Sequence, residues 1–177
     1  MISFVGCSDG KITSDGIYNK IHADYYDIKS YDASCSIATF TKAGKNTYKC
    51  KINYDNKENT YTIASDDMKI FLTNEKCIIS KGKNTIESVS SKEDMYIFVN
   101  TFFKSYYECE DTAISVNTKT GSDLLLLECS VINPSQYASS MKLWMNKKTV
   151  KPEKMQVIDC DGAINTEVVF TDFEFVS

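Results

Sequence analysis

Ser90-Ser91-Lys92-Glu93-Asp94-Met95-Tyr96-Ile97-Phe98-Val99-Asn100-Thr101-Phe102-Phe103-Lys104-Ser105-Tyr106 lies near the middle of a chain of 177 residues. Ser90-Ser91-Lys92-Glu93 reads as a capping box, in which a hydroxyl caps the helix and the glutamate three residues on reaches back. Met95, Phe98, Val99, Phe102, Phe103 and Tyr106 then recur at helical spacing, which predicts a helix over about 92–106. A face so rich in aromatics needs a broad apolar surface, and the concave inner face of a curved sheet supplies one.

Strand signals flank this helix on both sides. Upstream, Ala33, Cys35, Ile37 and Thr39 alternate with Ser34, Ser36, Ala38 and Phe40. Gly44-Lys45-Asn46 marks a turn, and Tyr48, Cys50, Ile52 and Tyr54 alternate in the next strand. Short strands around Tyr61–Ile63, Lys69–Leu72, Cys77–Ile79 and Thr85–Val89 complete a six-strand meander. Ahead of it, Ile17, Ile21, Tyr25 and Ile28 predict a first helix over about 16–29, capped by Ser14-Asp15-Gly16.

Downstream, strands are expected at Ala113–Asn117, Asp123–Val131, Ser140–Asn146, Lys154–Cys160 and Ile164–Phe175, with a hairpin turn at Asp161-Gly162. The run Leu124-Leu125-Leu126-Leu127 reads as buried on both faces. In the last strand, Val168, Phe170, Asp172 and Glu174 share one face, and Val169, Thr171, Phe173 and Phe175 the other. The order helix, meander, helix, meander predicts an α+β fold. Its form is an unclosed antiparallel half-barrel of about ten or eleven strands, lidded by helices.

Charge excludes one class of function. Twenty lysines face 24 acidic residues for a net charge of −4, and the chain has no arginine. Nucleic-acid readers rely on clustered basic residues and bidentate arginine contacts. The single histidine, His22, rules out zinc sites built from several histidines and reads as a helix-surface residue. No G-x-S-x-G, G-x-x-x-x-G-K or G-x-G-x-x-G occurs. Asp159-Cys160-Asp161-Gly162 faintly resembles a calcium loop but reads as a turn. No catalytic residue, cofactor or metal site emerges, which leaves a binding module. Tyr25, Tyr26, Tyr106 and Tyr107 end helical stripes and are candidates for exposed aromatics at an interface.

At the start, Val5-Gly6-Cys7 follows a short apolar run and precedes the polar stretch Ser8–Asp15. This resembles the end of a bacterial lipoprotein signal peptide, where a cysteine after a small residue receives a diacylglycerol. Phe4 departs from the usual leucine. Residues 1–15 are therefore expected to be a signal-peptide remnant, the lipidation site Cys7 and a tether, with a single domain over 16–177. Seven cysteines leave six without Cys7: Cys35, Cys50, Cys77, Cys109, Cys129 and Cys160. No two are closer than fifteen positions, so zinc-ribbon and redox-motif spacings are absent. Cys35, Cys50, Cys129 and Cys160 fall in predicted strands and read mostly as buried thiols, with up to three disulfides as the alternative.

This order of elements over residues 16–176 resembles the lipoprotein-carrier (LolA/LolB-like) fold. Together with Val5-Gly6-Cys7, the tether and the arginine-free, low-GC composition, it resembles the GerS-type germination lipoproteins of spore-forming clostridia. The resemblance implies a non-catalytic membrane lipoprotein that binds and activates a zinc-dependent N-acetylmuramoyl-L-alanine amidase of the CwlD type. That amidase helps form muramic-δ-lactam in the spore cortex, a modification needed for germination. The implied location is the intermembrane space of the forespore, with lipid on Cys7 as the membrane anchor. A homodimer, strand- or domain-swapped, is a plausible assembly. True carriers use a buried arginine to hold the lid over their acyl cavity. This chain has none, which favours the partner-protein reading over an acyl-chain or lipoprotein carrier holding lipid in the half-barrel cavity, a reading that rests on the apolar concave sheet implied by Leu124–Leu127 and the aromatic helix. A wall hydrolase acting through paired carboxylates is a third and weaker reading.

Overall fold

A computed structural model describes residues 14–91, 93–116 and 123–176. Cys7 and most of the expected tether lie outside these residues. The chain begins with α1 (Ser14–Tyr25) and then runs through β1 (Ser30–Thr41), β2 (Gly44–Asp55), β3 (Thr60–Ala64), β4 (Met68–Leu72), β5 (Lys76–Lys81) and β6 (Asn84–Val89). A 3-10 helix (Glu93–Met95) leads into α2 (Val99–Glu108). The second meander is β7 (Thr112–Val116), β8 (Leu124–Ser135), β9 (Ala138–Asn146), β10 (Pro152–Ile158) and β11 (Ile164–Phe175).

The eleven strands of the described residues belong to one antiparallel sheet, ordered β6-β5-β4-β3-β2-β1-β11-β10-β9-β8-β7. The fold is the expected α+β one, an unclosed antiparallel half-barrel that carries two α-helices among the described residues. The two meanders meet where β1 pairs with β11, from Tyr31↔Phe175 to Thr39↔Thr166. A bulge at Ser34/Cys35 shifts that register. It also corrects the expected faces of β11. Thr166, Val168 and Phe170 point inward, and after the bulge so does Phe173, while Thr171 and Asp172 are exposed. An extra residue in one strand of a pair flips the alternation beyond it.

The core lies on one face of the sheet. Phe98, Val99, Phe102 and Phe103 are at most 1% exposed, so the aromatic stripe is buried as its spacing requires. Tyr25 of α1 stacks on Phe103 at a ring separation of 4.4 Å, and its hydroxyl donates to the carbonyl of Val150 at 2.7 Å. This pins α1 to α2 and to the β9–β10 turn. Val150 holds φ at +50°, a strained conformation for a β-branched residue. It is nonetheless buried, and its N–H donates to the carbonyl of Asn146 at 2.8 Å.

Several boundaries differ from expectation. The first helix ends at Tyr25, not near residue 29, although Ile28 still reaches the core from the connection. The second begins at Val99. Phe98 is extended (φ −99°, ψ 138°), and the turn before it is 3-10. The capping box is present but one residue on: Asp94 N–H donates to Ser91 Oγ at 3.2 Å, and Ser91 N–H donates to Asp94 Oδ2 at 2.9 Å. It therefore caps the 3-10 turn.

The β1–β2 turn is Lys42-Ala43, with Gly44 already paired to Thr41 at φ +132°, a value that suits glycine. In β8, Leu125 and Leu127 are buried but Leu124 and Leu126 are only half-buried, so the leucine run has one inner face. On the outer face Leu126 lies opposite Trp144, and Lys154 Nζ sits 3.9 Å from the Trp144 ring centre. A lysine stem and an indole cover apolar surface there without a second layer.

Candidate functional site

Register creates a row of isoleucines across the first meander. Ile52, Ile63, Ile70, Ile79 and Ile86 are successive cross-strand partners from β2 to β6. Ile52 is 2% exposed and Ile63 4%, Ile70 and Ile79 are half-buried, and Ile86 is 64% exposed. Cover is lost step by step towards the sheet edge. The reason is the position of α2. Phe98 at its start packs on Tyr61 at 4.2 Å, and Tyr61 stacks on Tyr54 at 4.8 Å. Asn100 Nδ2 donates to Tyr61 Oη at 2.7 Å. This aromatic and amide plug fills one part of the inner face and leaves the neighbouring part open.

The opening is a cavity of about 920 Å³. Its walls are mainly aliphatic, with Ile37, Ile63, Ile70, Leu72, Ile79 and Ile97 prominent. Lys42, Tyr137, Glu93, Asp94 and Asp159 also line it, and they make up a polar margin. Its volume and mainly apolar lining are those of a site for a drug-sized apolar group.

Two of its carboxylates are committed to backbone. Asp94 holds Ser91 N–H, and Asp159 Oδ1 accepts from Asp161 N–H at 3.0 Å and Ala163 N–H at 2.8 Å. The second arrangement forms the β10–β11 turn, so Asp159-Cys160-Asp161-Gly162 is the expected turn, with Gly162 at φ +79°. Among the described residues, no group of three His, Cys, Asp or Glu side chains comes together as a metal site. Lipidation at Cys7 lies outside the described residues.

A second feature is aromatic and lies on the helices. His22 is exposed on α1, stacked on Tyr26 at 4.6 Å and edge-on to Tyr107 at 5.5 Å. Tyr18 is 44% and Tyr26 64% exposed. Of the four tyrosines expected as interface candidates, Tyr26 is exposed, Tyr107 is half-buried, and Tyr25 and Tyr106 belong to the core. The Tyr107 hydroxyl is buried with no hydrogen-bond partner, and burial raises its pKa.

All six described cysteines are unbonded. Cys35, Cys50, Cys77 and Cys129 are buried, Cys109 is half-buried, and Cys160 is exposed in the β10–β11 turn rather than in a strand. Burial pushes the Cys129 thiol up to about 12.

The sequence matches the YdcC-like sporulation protein family over residues 1–176. The chain belongs to that family. No curated protein sequence matches it. Among solved structures, this YdcC-like chain is similar to the GerS lipoprotein in the structure of the CwlD amidase from Clostridioides difficile in complex with GerS. The TM-score is 0.52 and the identity 20%, over 99% of this chain and 100% of that one. An uncharacterised conserved protein from Thermus thermophilus matches with a TM-score of 0.51 and 9% identity, over 92% of this chain and 87% of that one. A domain named for outer membrane lipoprotein sorting, from Vibrio parahaemolyticus, matches with a TM-score of 0.50 and 11% identity, over 91% of each. At these identities the three share the fold, and no residue role transfers from them.

The carrier alternative expects an apolar half-barrel cavity at Leu124–Leu127 and the aromatic helix; the cavity is lined instead mainly by the first meander, and the aromatic plug beside it has no counterpart in that expectation. The isoleucine recurring once per strand at Ile52, Ile63, Ile70, Ile79 and Ile86 is the signal that points to a continuous apolar row.

Proposed function

We propose that this YdcC-like protein is a non-catalytic, membrane-anchored partner of a zinc-dependent N-acetylmuramoyl-L-alanine amidase of the CwlD type. It binds the amidase and activates it for spore cortex modification and muramic-δ-lactam formation, on which germination depends. The observation that carries this reading is the fold match over nearly the whole chain to GerS, a lipoprotein solved in complex with that amidase. Membership of a sporulation family supports the setting. In this reading the mature chain is exported to the intermembrane space of the forespore and anchored by lipid on Cys7.

The mechanism is coupling between two sites. A partner that binds the active, metal-loaded amidase more tightly than the inactive form shifts the population towards it. The reciprocal effect is tighter zinc binding by the amidase in the complex. The test is co-purification of the full chain with the amidase, with zinc content and peptidoglycan hydrolysis measured with and without the chain. A stable complex with raised zinc occupancy and rate supports the proposal. Unchanged occupancy and rate refute it.

The cavity favours one second reading, a carrier of acyl chains or lipoproteins. Native mass spectrometry of detergent-free protein showing neither bound lipid nor uptake of a fluorescent fatty acid would remove it.

A further inference from the structure

Cys35 and Cys50 face one another across the β1–β2 hairpin. They are direct partners in its register, and their sulfurs are 3.5 Å apart. Directly opposed residues of an antiparallel pair fall within the Cα separations that a disulfide spans. The sulfurs need to close by only about 1.5 Å to reach bonding distance. No other two described cysteines are register partners. Cys77 lies opposite Leu72 and Ser88, and Cys129 opposite Thr112 and Met141, while Cys109, beyond α2 and near Cys129, gives its thiol to the carbonyl of Ser130 at 3.3 Å. Cys160 is in an exposed turn.

The two thiols share one S–H···S contact in which either sulfur can be the donor, so the pair holds a proton between them and its members do not ionise independently. Two residues further along, Ile37 and Tyr48 are also partners, and both line the cavity. A bond at Cys35–Cys50 would fix the hairpin that forms this part of the wall.

We propose that Cys35 and Cys50 form a redox site, oxidised by a small-molecule disulfide to a cross-strand bond that staples β1 to β2 beside the cavity. One of the two cysteines, as its thiolate, attacks one sulfur of the oxidant, forming a mixed disulfide and releasing one thiolate. The other gives its proton to that leaving thiolate and attacks the Sγ of the first, expelling the second thiolate, which takes a proton from solvent. The two cysteines lose two electrons, and one oxidant disulfide becomes two thiols. Cys35 is 4% and Cys50 7% exposed, so the reaction runs while the sheet is open, during folding or a local opening. This site is independent of the amidase reading.

The test refolds the full chain from denaturant in a mixture of reduced and oxidised glutathione. Remaining thiols are then alkylated and the digest is analysed by mass spectrometry without reduction. The expected product is a single cross-linked peptide joining Cys35 to Cys50, two hydrogens lighter than the sum of its parts. Its melting temperature should exceed that of reduced protein by about 5 °C. Cys35→Ala and Cys50→Ala, each checked for native circular dichroism, should remove both the cross-link and the shift. Recovery of Cys35 and Cys50 on separate alkylated peptides after refolding would overturn the proposal, as would a bond from Cys35 to any other cysteine.

Discussion

The hydroxyl of Tyr31, on β1, accepts the backbone N–H of Val99, the first residue of α2, at 3.2 Å. Tyr31 is fully buried, and its ring stacks on Phe173 at 4.9 Å. A central strand thus supplies the cap that the local sequence of the helix does not, since Phe98 at the N-cap makes no side-chain cap. The first N–H groups of a helix need such partners when buried.

Tyr31→Phe should keep the ring packing and leave that N–H unsatisfied. The expected cost is about 1–3 kcal/mol. Urea titration should show a lower midpoint with an unchanged slope. A midpoint within error of the parent would mean that the hydroxyl does not cap the helix.

The one-faced leucine run makes a paired prediction. Leu127→Ala empties a fully buried position and should cost about 2–5 kcal/mol. Leu126→Ala trims a half-buried side chain opposite Trp144 and should cost roughly 1 kcal/mol. Equal losses in thermal or chemical unfolding would restore the two-faced reading of this strand.

Alkali should unfold the protein through its buried acids. Burial pushes Tyr54 and Tyr106 up to about 12 from an ordinary value of 10.0, and Cys129 up to about 12 from 9.0. In each, the native state holds its proton where the unfolded chain has lost it. The associated stability is full below the unfolded pKa and is lost as pH rises through the folded one. Stability should therefore decline from about pH 9 and fall steeply between about 10 and 12. Tyrosinate absorbance should rise together with loss of circular dichroism. Smooth phenol titration at an ordinary pKa in still-folded protein would contradict this.

Filling the cavity separates the two functional readings. Ile70→Phe adds volume where the isoleucine row is already half-uncovered, so it should fold with a midpoint within about 1–2 °C of the parent. Amidase stimulation should be retained, while any uptake of a fluorescent fatty acid should fall. Loss of amidase stimulation by a folded Ile70→Phe protein would place the cavity inside the partner-binding function.

Much of this architecture is legible in the residues. Alternation in β1 and β2 and the turn signals between strands mark the meanders, and the spacing of Phe98, Val99, Phe102 and Phe103 marks the buried face of α2. The start of α2 is not legible. Met95, Phe98 and Val99 keep helical spacing through a segment whose backbone is 3-10 and then extended, and the partner that decides the matter, Tyr31, is remote in sequence. The two-faced reading of Leu124–Leu127 fails because a continuous apolar run has no period from which to infer a face. The β11 bulge depends on pairing with β1 and leaves no mark on either strand alone. The place of the cavity is not legible for a simpler reason: it is defined by where α2 stops covering the isoleucine row, not by any residue's chemistry.

The β1–β11 seam has a further consequence for how the molecule comes into being. β11, which pairs with the central strand β1, follows the other ten described strands in the chain. Until it arrives, β1 presents an open edge from Tyr31 to Thr39, with Ala33, Cys35 and Ile37 on its apolar side. Such long-range pairing makes for slow folding, and an unpaired edge of this kind invites aggregation. Loss of β11 would therefore be felt at the centre of the sheet rather than at its margin, and a nascent chain would need shielding until β11 emerges.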